Sequence, residues 1–315
     1  MTTYYLGQPP VQHGLLGWDV YRADIDAVVK PLPFVTAGGA DPAEFGLSPA
    51  DLHEGESVGQ RLSNSGVDVR RVVPDGLVGN ETGFENEGEH IYHGYEKEDY
   101  EELADTLQQT LSSVEDPGFV HTYIPDIDTA GHFHGTSAPE YRETVSRVFD
   151  TVERAIQGMP TERARETLVV VCADHGHVDT EPKQNVDLLS ALADAETIEQ
   201  TTEGTPKISG GPRNLHLHVD DPEDTRTAVQ SALTKCGCNA LVLTREEALD
   251  EGLWGLDDPS MTFKRHCGDL LVIPDQISIW HGGEAEALNL IGEHGGCHPN
   301  EMLVPFASVR GDQLQ

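Results

Sequence analysis

Three short segments of the chain each place aspartate or histidine side chains directly after an apolar run. In YIPDIDTAGHFHG, Asp128 and His132 are four residues apart. Asp174 and His175 are adjacent in VCADHGHVDT, and His294 lies between an acid and two glycines in GEHGGCHPNEMLVP. A dinuclear site for divalent metal ions needs about three protein ligands per ion, drawn from carboxylates and imidazoles, with positions left for substrate oxygens. These side chains could supply most of such a site, and the imidazoles favour zinc or manganese over magnesium.

The segments that carry these residues are predicted to alternate between helices and strands. Leucines at helical spacing, with acids at the start where the helix dipole favours them, predict a helix over residues 96–114. A second amphipathic helix is predicted over residues 137–156. Residues 118–124 and the β-branched run 167–172 predict strands, the latter buried on both faces of a parallel sheet. Ligands collect at the carboxyl ends of such strands in α/β proteins, so we expect the chemistry there.

The chain between residues 207 and 266 differs in character from the segments around it. Short strands alternate with helices in this stretch, and the pattern predicts a small α+β insertion. We therefore predict a core made of residues 1–206 and 267–315, with residues 207–266 as a cap. The strand predicted at residues 269–273 would return to the main sheet, and the apolar tail at residues 301–309 would form an edge element.

Taken in chain order, the three segments resemble the metal-site signature of a known group of enzymes. Asp-x-x-x-His comes first, then a strand ending in Ala-Asp-His-Gly, then His-Gly-Gly-x-x-x-x-Glu-Met-x-Val-Pro. This order is similar to that of the alkaline-phosphatase superfamily, and the chain most resembles its type I phosphodiesterase/nucleotide pyrophosphatase branch. The similarity runs from about residue 9 to residue 307 and is weakest in the cap. It implies an α/β fold, a three-layer sandwich around a mainly parallel sheet, with the small α+β cap inserted.

The resemblance also implies a ligand set and a reaction. In that family the residues matching Asp128, His132 and His294 bind one divalent ion, and those matching Asp174 and His175 bind the other. Two zinc ions are the expected cofactors, with manganese as the alternative. An N-terminal Asp of the family completes the second site, and a Thr or Ser nucleophile lies between the ions. This nucleophile attacks phosphorus, and water then hydrolyses the phospho-enzyme.

The family places its first Asp and its nucleophile ahead of a segment like Thr-Gly-x-x-Pro-x-x-His-Gly. Residues 6–14 match that segment, only a few residues after Met1. We therefore expect the nucleophile upstream of Met1, no catalytic nucleophile in the chain itself, and a truncated gene or a misassigned start. Thr2 and Thr3 come too close to the segment to take the role. Trp18 also departs from the pattern, because nucleotide pyrophosphatases place a phosphate-contacting Asn there.

The implied function is the hydrolysis of phosphoric esters, with phosphodiesters or nucleotide pyrophosphates as substrates. The alternatives within the superfamily are a phosphomonoesterase, a sulfatase, a phosphonoacetate hydrolase and a metal-dependent phosphoglycerate mutase. From another class, the alternative is an inactive, truncated remnant that still binds metal. Activity on bis-p-nitrophenyl phosphate would separate an enzyme from such a remnant.

The composition is strongly acidic along the whole chain. Fifty-five Asp and Glu against 20 Lys and Arg leave a formal net charge of −35. At molar salt the screening length falls to about 3 Å, and the self-repulsion of such a chain largely disappears. The composition is therefore typical of proteins from salt-accumulating halophiles. Nucleic acid would be repelled by this field, so we expect a small phosphate ester as substrate and no nucleic acid as a large partner. We expect no membrane as partner either, because no apolar run is long enough to span one. The oligomeric state is left open.

Several other histidines lie near the candidate ligands or share a predicted strand. His134, His177 and His298 come two to four residues from a ligand and could support the site or the substrate. His216 and His218 alternate along a predicted strand, and a structural role explains them more simply than a metal.

The cysteines and the apolar runs bear on location. The five cysteines are odd in number, without paired spacing beyond Cys236-Gly-Cys238, which indicates reduced thiols in a cytoplasm. No apolar run approaches the roughly 20 residues that span a bilayer. The first residues also lack the basic and hydrophobic stretches of a signal peptide. We therefore predict a cytoplasmic protein.

Overall fold

The computed structural model describes residues 2–78, 91–192, 197–281 and 289–315 of the chain. The helices in these ranges are named α1 to α12 in chain order: Thr2–Leu6, Pro10–His13, Val58–Asn64, Tyr100–Ser113, Asp126–His134, Pro139–Gln157, Thr161–Glu166, Leu188–Ala191, Pro222–Lys235, Arg245–Asp250, Met261–His266 and Pro299–Met302. The strands are named β1 to β16 in the same way: Val20–Arg22, Ala27–Lys30, Val35–Thr36, Asp68–Pro74, Ile91–Tyr95, Gly118–Thr122, Leu168–Cys172, Val178–Asp179, Val186–Asp187, Ile208–Gly211, Asn214–Leu217, Ala240–Thr244, Leu270–Pro274, Ile279–Trp280, Gly292–Glu293 and Phe306–Arg310. Within these ranges, no helix combines the length and the apolar character that crossing a membrane requires.

Contacts divide the chain into two compact units. The larger unit consists of Met1–Gly55 and His177–Met302, and the smaller unit of Glu56–Gly176 and Leu303–Gln315. The predicted core of residues 1–206 and 267–315 and the predicted cap of residues 207–266 do not follow this division. That domain assignment stays a prediction.

A parallel three-stranded sheet organises the smaller unit, with β4 between β5 and β6. Helix α4 packs against all three strands, because Leu103 and Leu107 lie one turn apart and are buried on the same face. The helix begins where Asp99 accepts hydrogen bonds from the backbone N–H groups of Glu101 and Glu102. Such a cap satisfies N–H groups that have no partner within the helix. The predicted helix at residues 96–114 is thus confirmed with a later start.

The smaller unit also contains the two elements that lead to candidate ligands. β6 is followed by α5, and α5 packs against α6. β7 pairs antiparallel with β16, with Leu168 opposite Arg310 and Cys172 opposite Phe306. The strand predicted at residues 167–172 is confirmed, but its predicted burial on both faces of a parallel sheet is wrong, because its described partner is antiparallel and Leu168 and Val170 are exposed. The apolar edge element predicted at residues 301–309 is confirmed as a strand, although it spans Phe306–Arg310.

An antiparallel four-stranded sheet, in the order β10, β11, β13, β12, carries the main core of the larger unit. Leu215, Leu217, Val242 and Val272 are buried there together with Val229 of α9. The prediction that the strand at 269–273 returns to the main sheet is wrong, because β13 pairs with β11 and β12. All five residues of β13 are buried, so both faces of this strand are covered, and its two edges pair with β11 and β12.

Short strand pairs complete the larger unit. β1, β2 and β3 form an antiparallel sheet, and β14 pairs parallel with β9. β15 pairs antiparallel with β8, with Gly292 opposite Asp179 and Glu293 opposite Val178. This last pair leads directly to His294, which follows β15 in the chain. The sheets of the protein are therefore mixed, parallel around β4 and antiparallel around β13.

Candidate metal centre

Helix α5 presents the first two candidate ligands of the smaller unit. Asp128 and His132 lie one helical turn apart, so their side chains share a face, and Nε2 of His132 is 3.4 Å from Oδ1 of Asp128. Asp128 is in the first turn of the helix, where the helix dipole favours a carboxylate. Lys97 holds this turn by donating a hydrogen bond of 2.9 Å from Nζ to Oγ1 of Thr129.

The segment after β7 brings the next two candidate ligands to the same place. Nε2 of His175 lies 3.8 Å from Oδ1 of Asp128 and 3.7 Å from Oδ1 of Asp174. Nδ1 of His175 is 3.0 Å from the carbonyl oxygen of Gly176. Because a carbonyl oxygen only accepts, Nδ1 donates in this contact, and Nε2 is the ring nitrogen on the side of the two carboxylates.

The geometry and the chemistry of this cluster suit a divalent cation. Two ligands held about 2.1 Å from a tetrahedral ion lie about 3.4 Å apart, which matches the distance between Asp128 and His132. The four side chains are 20% to 36% exposed, so water or a substrate oxygen could take the remaining positions. Asp128 and His175 therefore belong to a His/Asp group that could hold a metal ion, and His132 and Asp174 lie beside them.

The larger unit contains a pair of histidines. The register that sets Glu293 opposite Val178 places His294 and His177 at the same end of the β8–β15 pair. Their ring centroids are 5.4 Å apart and their planes nearly perpendicular, at 87°. One ring nitrogen of each lies within 4.8 Å of the other, close enough for both to reach one ion. His177 is buried, with 8% of its surface exposed.

A buried carboxyl group lies at the start of α5, beside the cluster of the smaller unit. Asp126 is buried, and burial raises the pKa of its carboxyl above the ordinary value for Asp. Burial together with the charge of Asp126 raises the pKa of the Tyr100 hydroxyl to about 12. The start of α5 is therefore held in surroundings of low polarity.

The predicted site residues fall into two groups. Asp128, His132, Asp174 and His175 come together in the smaller unit, and His294 lies in the larger unit beside His177. The other histidines named from the sequence do not join these groups.

His134 is exposed, and Nδ1 of His298 accepts a hydrogen bond of 3.2 Å from the N–H of Asn300. His216 and His218 are buried in the larger unit, as a structural role requires. Burial lowers the pKa of both imidazoles, to about 3 and about 4 respectively.

The sequence left the role of His177 open. It gave no indication of Arg213, whose side chain is fully buried beside the loop that follows His294. The only sequence signal for a role of His177 was its position two residues after His175. No local sequence pattern marks Arg213.

The fold and the cluster together define an α/β protein with a carboxylate and imidazole group able to hold a metal ion. The chain belongs to the type I phosphodiesterase/nucleotide pyrophosphatase family, whose model matches residues 1–296. Members of that family are phosphodiesterases and pyrophosphatases, which are hydrolases of phosphoric esters. A search of curated protein sequences gives no match.

Solved structures with the same fold include two of mouse ectonucleotide pyrophosphatase/phosphodiesterase 5. One of them, an inactive form in complex with AMP, is 15% identical, with a TM-score of 0.68 over 97% of this chain and 74% of that one. The other mouse structure is also 15% identical to this chain, with a TM-score of 0.67. The human protein of the same name is 13% identical, with a TM-score of 0.68 and the same coverage. At this identity the likeness shows the fold, and it confirms the predicted α/β, alkaline-phosphatase-like class.

Proposed function

We propose that the chain is a metal-dependent hydrolase of small phosphodiesters or nucleotide pyrophosphates that works with two divalent ions, zinc or manganese. The observation that supports this most is the position of Asp128, whose Oδ1 lies 3.4 Å from Nε2 of His132 and 3.8 Å from Nε2 of His175. Membership of the phosphodiesterase and pyrophosphatase family supports the reaction class.

The proposed ligand set follows the family pattern. Asp128, His132 and His294 would hold one ion, and Asp174 and His175 would hold the other. The hydrogen bond between Nδ1 of His175 and the carbonyl of Gly176 supports this role, because metal-binding histidines commonly use their second nitrogen in this way. When bound, the ions supply the positive charge that stabilises the attacking and leaving oxygens on phosphorus.

The residues of the chain itself would hold the ions and orient the substrate. The two carboxylates reduce the charge of the pair of ions, and the histidines offer neutral nitrogen donors. Partial exposure of the cluster leaves room for a small ester.

A proposed substrate class follows from charge and from one departure from the family pattern. The net charge of −35 disfavours a polyanion such as nucleic acid. Trp18 stands where nucleotide pyrophosphatases have a phosphate-contacting Asn, and half of its surface is exposed. We therefore propose small phosphodiesters ahead of nucleotides. The cytoplasmic location stays a prediction.

Metal binding is the first test of the proposal. Calorimetry in molar KCl should show zinc and manganese binding by the chain, and Asp128→Asn should weaken it by about tenfold or more, since loss of even supporting groups costs 10- to 100-fold. Asp150→Asn, which removes the same charge from an exposed position on α6, is the matched control. Equal affinities in the two variants would contradict the ligand assignment.

Hydrolysis is the second test, and it separates the enzyme from the inactive remnant. The chain that begins at Met1 and a chain extended by the codons in front of it are both loaded with zinc or manganese. Bis-p-nitrophenyl phosphate tests diester hydrolysis, and p-nitrophenyl phosphate tests the phosphomonoesterase alternative. Activity of the extended chain alone would support an upstream nucleophile. Metal binding without activity in either chain would favour the remnant.

A further inference from the structure

A buried ion pair lies beside the loop that carries His294 in the larger unit. Arg213, in the turn between β10 and β11, contacts Glu301 of α12 with 0% and 1% of the two side chains exposed. The guanidinium donates from Nη2 to Oε1 over 2.5 Å and from Nε to Oε2 over 3.2 Å. This two-point contact fixes both the distance and the orientation of the two planar groups.

The remaining donors of Arg213 bind backbone. Nη1 donates to the carbonyl of Ile277 over 2.5 Å, and Nη2 donates to the carbonyl of Asp275 over 2.7 Å. Both carbonyls belong to the segment between β13 and β14. The guanidinium is therefore fixed to the segment that follows β13 on one side and to Glu301 on the other.

Glu301 connects the fixed guanidinium to the loop that carries His294. Its Oε2 accepts a hydrogen bond of 2.7 Å from the N–H of Gly296, two residues after His294. A Cβ at Gly296 would lie 3.1 Å from the carbonyl oxygen of Arg213 and 3.1 Å from both carboxylate oxygens of Glu301. The backbone at Gly296 thus lies so close to the Arg213–Glu301 pair that a side chain at this position would crowd it.

The other end of the loop is fixed by the β8–β15 pair, where Glu293 lies opposite Val178. Only His294 and Gly295 lie between the two anchors, and Gly295 adopts φ +102°, a conformation that favours glycine. The two anchors therefore hold the backbone on both sides of His294, which sets the direction in which its side chain leaves the loop.

Stability alone does not explain such a pair, because a buried ion pair is often no more stabilising than apolar side chains of similar volume. We propose that Arg213 and Glu301 are positioning residues that hold His294 where it binds a divalent ion. The inference rests on the proposed function and adds two residues to it, neither of which contacts the ion or the substrate.

The test replaces both members of the pair, so that no buried charge is left without a partner. Arg213→Met combined with Glu301→Leu should fold, and should lower the affinity for zinc or manganese about tenfold, as loss of a ligand's supporting partner does. The control is Arg245→Met with Asp269→Leu. Arg245 likewise contacts a carboxylate and two backbone carbonyls, in a partly exposed pair that lies beside none of the candidate ligands. The control should leave the affinity unchanged.

A thermodynamic cycle distinguishes positioning from a general loss of structure. In a His294→Ala background the Arg213 and Glu301 substitutions should cause no further loss of affinity, because they act through His294. Glu301→Gln keeps an oxygen for the N–H of Gly296 and should therefore give an intermediate loss of metal affinity. It replaces the double variant in the test if the double variant fails to fold.

The outcomes separate the two proposals. A wild-type chain that binds neither metal would overturn the proposed function and the positioning role with it. A wild-type chain that binds metal, together with unchanged affinity in both the double variant and Glu301→Gln, would overturn the positioning role alone. Equal losses with and without His294 would overturn it as well.

Discussion

The buried imidazole of His216 should make the larger unit sensitive to mild acid. His216 has no exposed surface, Nδ1 lies 3.6 Å from Sγ of Cys267, and the ring packs 5.6 Å from Trp254. Burial, followed by the charges of His218 and Arg245, lowers the pKa of His216 from 6.5 to about 3. The unfolded chain therefore binds a proton between these values that the folded chain does not.

The direction and the size of the change in stability with pH follow from the difference between the pKa values of His216 in the folded and unfolded states. Stability from the neutral imidazole is fully present above about pH 6.5 and is lost as the pH falls toward about 3, because only the unfolded state gains the proton. One pKa unit corresponds to about 1.4 kcal/mol. Between pH 7 and pH 5, His216 alone should lower the free energy of unfolding by about 2 kcal/mol.

Urea unfolding at constant molar KCl with EDTA, followed by tryptophan fluorescence, measures this change. All three tryptophans belong to the larger unit, so the signal reports its unfolding. His216→Gln should lose about 2 kcal/mol less than the wild type between pH 7 and pH 5, whatever its stability at pH 7. His134→Gln, with an exposed side chain, should lose as much as the wild type. Parallel pH profiles for His216→Gln and the wild type would refute the reasoning.

Three further results are expected. Raising KCl from about 0.1 M to molar concentrations should raise the midpoint of thermal unfolding, because salt screens the net charge of −35; a midpoint independent of salt would contradict this. Gly17→Ala should destabilise the larger unit by about 3 kcal/mol or prevent folding, since the new Cβ would lie 2.4 Å from Cα of Gly210. Gly211→Ala, with open space around its Cβ, should be tolerated in the same denaturation assay. Treatment with EDTA should abolish binding of bis-p-nitrophenyl phosphate at any salt concentration, and binding that survives would argue against a metal-dependent site.

Local patterns predicted the elements that carry the cluster of the smaller unit. The amphipathic spacing at residues 137–156 predicts a helix observed at Pro139–Gln157, and the β-branched run at residues 167–172 predicts β7 at Leu168–Cys172. The i, i+4 spacing of Asp128 and His132 is a local signal of the same kind, because it sets both side chains on one face of α5. Their assignment as metal ligands stays a prediction.

Such local patterns could not predict which strands and side chains that are distant in the sequence lie next to each other. The run at residues 269–273 predicts a strand, but nothing in its periodicity tells whether its neighbours are β11 and β12 or another sheet. Arg213 and Glu301 are 88 residues apart, and a single arginine in a turn carries no periodic signal. The contact of His177 with His294 likewise depends on the register between β8 and β15, which the sequence does not encode locally.

Charge connects the composition of the chain to its proposed chemistry. Asp128 and Asp174 place two carboxylates, and with them two negative charges, at the cluster. A phosphodiester is itself an anion, and one such pair of like charges about 4 Å apart costs about 4 kcal/mol at an effective dielectric constant of about 20. Salt screens the outer surface of an acidic protein but acts less on a partly buried cluster. Two divalent ions would change the local charge from −2 to +2. In the proposed function, metal binding therefore precedes substrate binding, and the ions supply the positive charge that attracts the substrate.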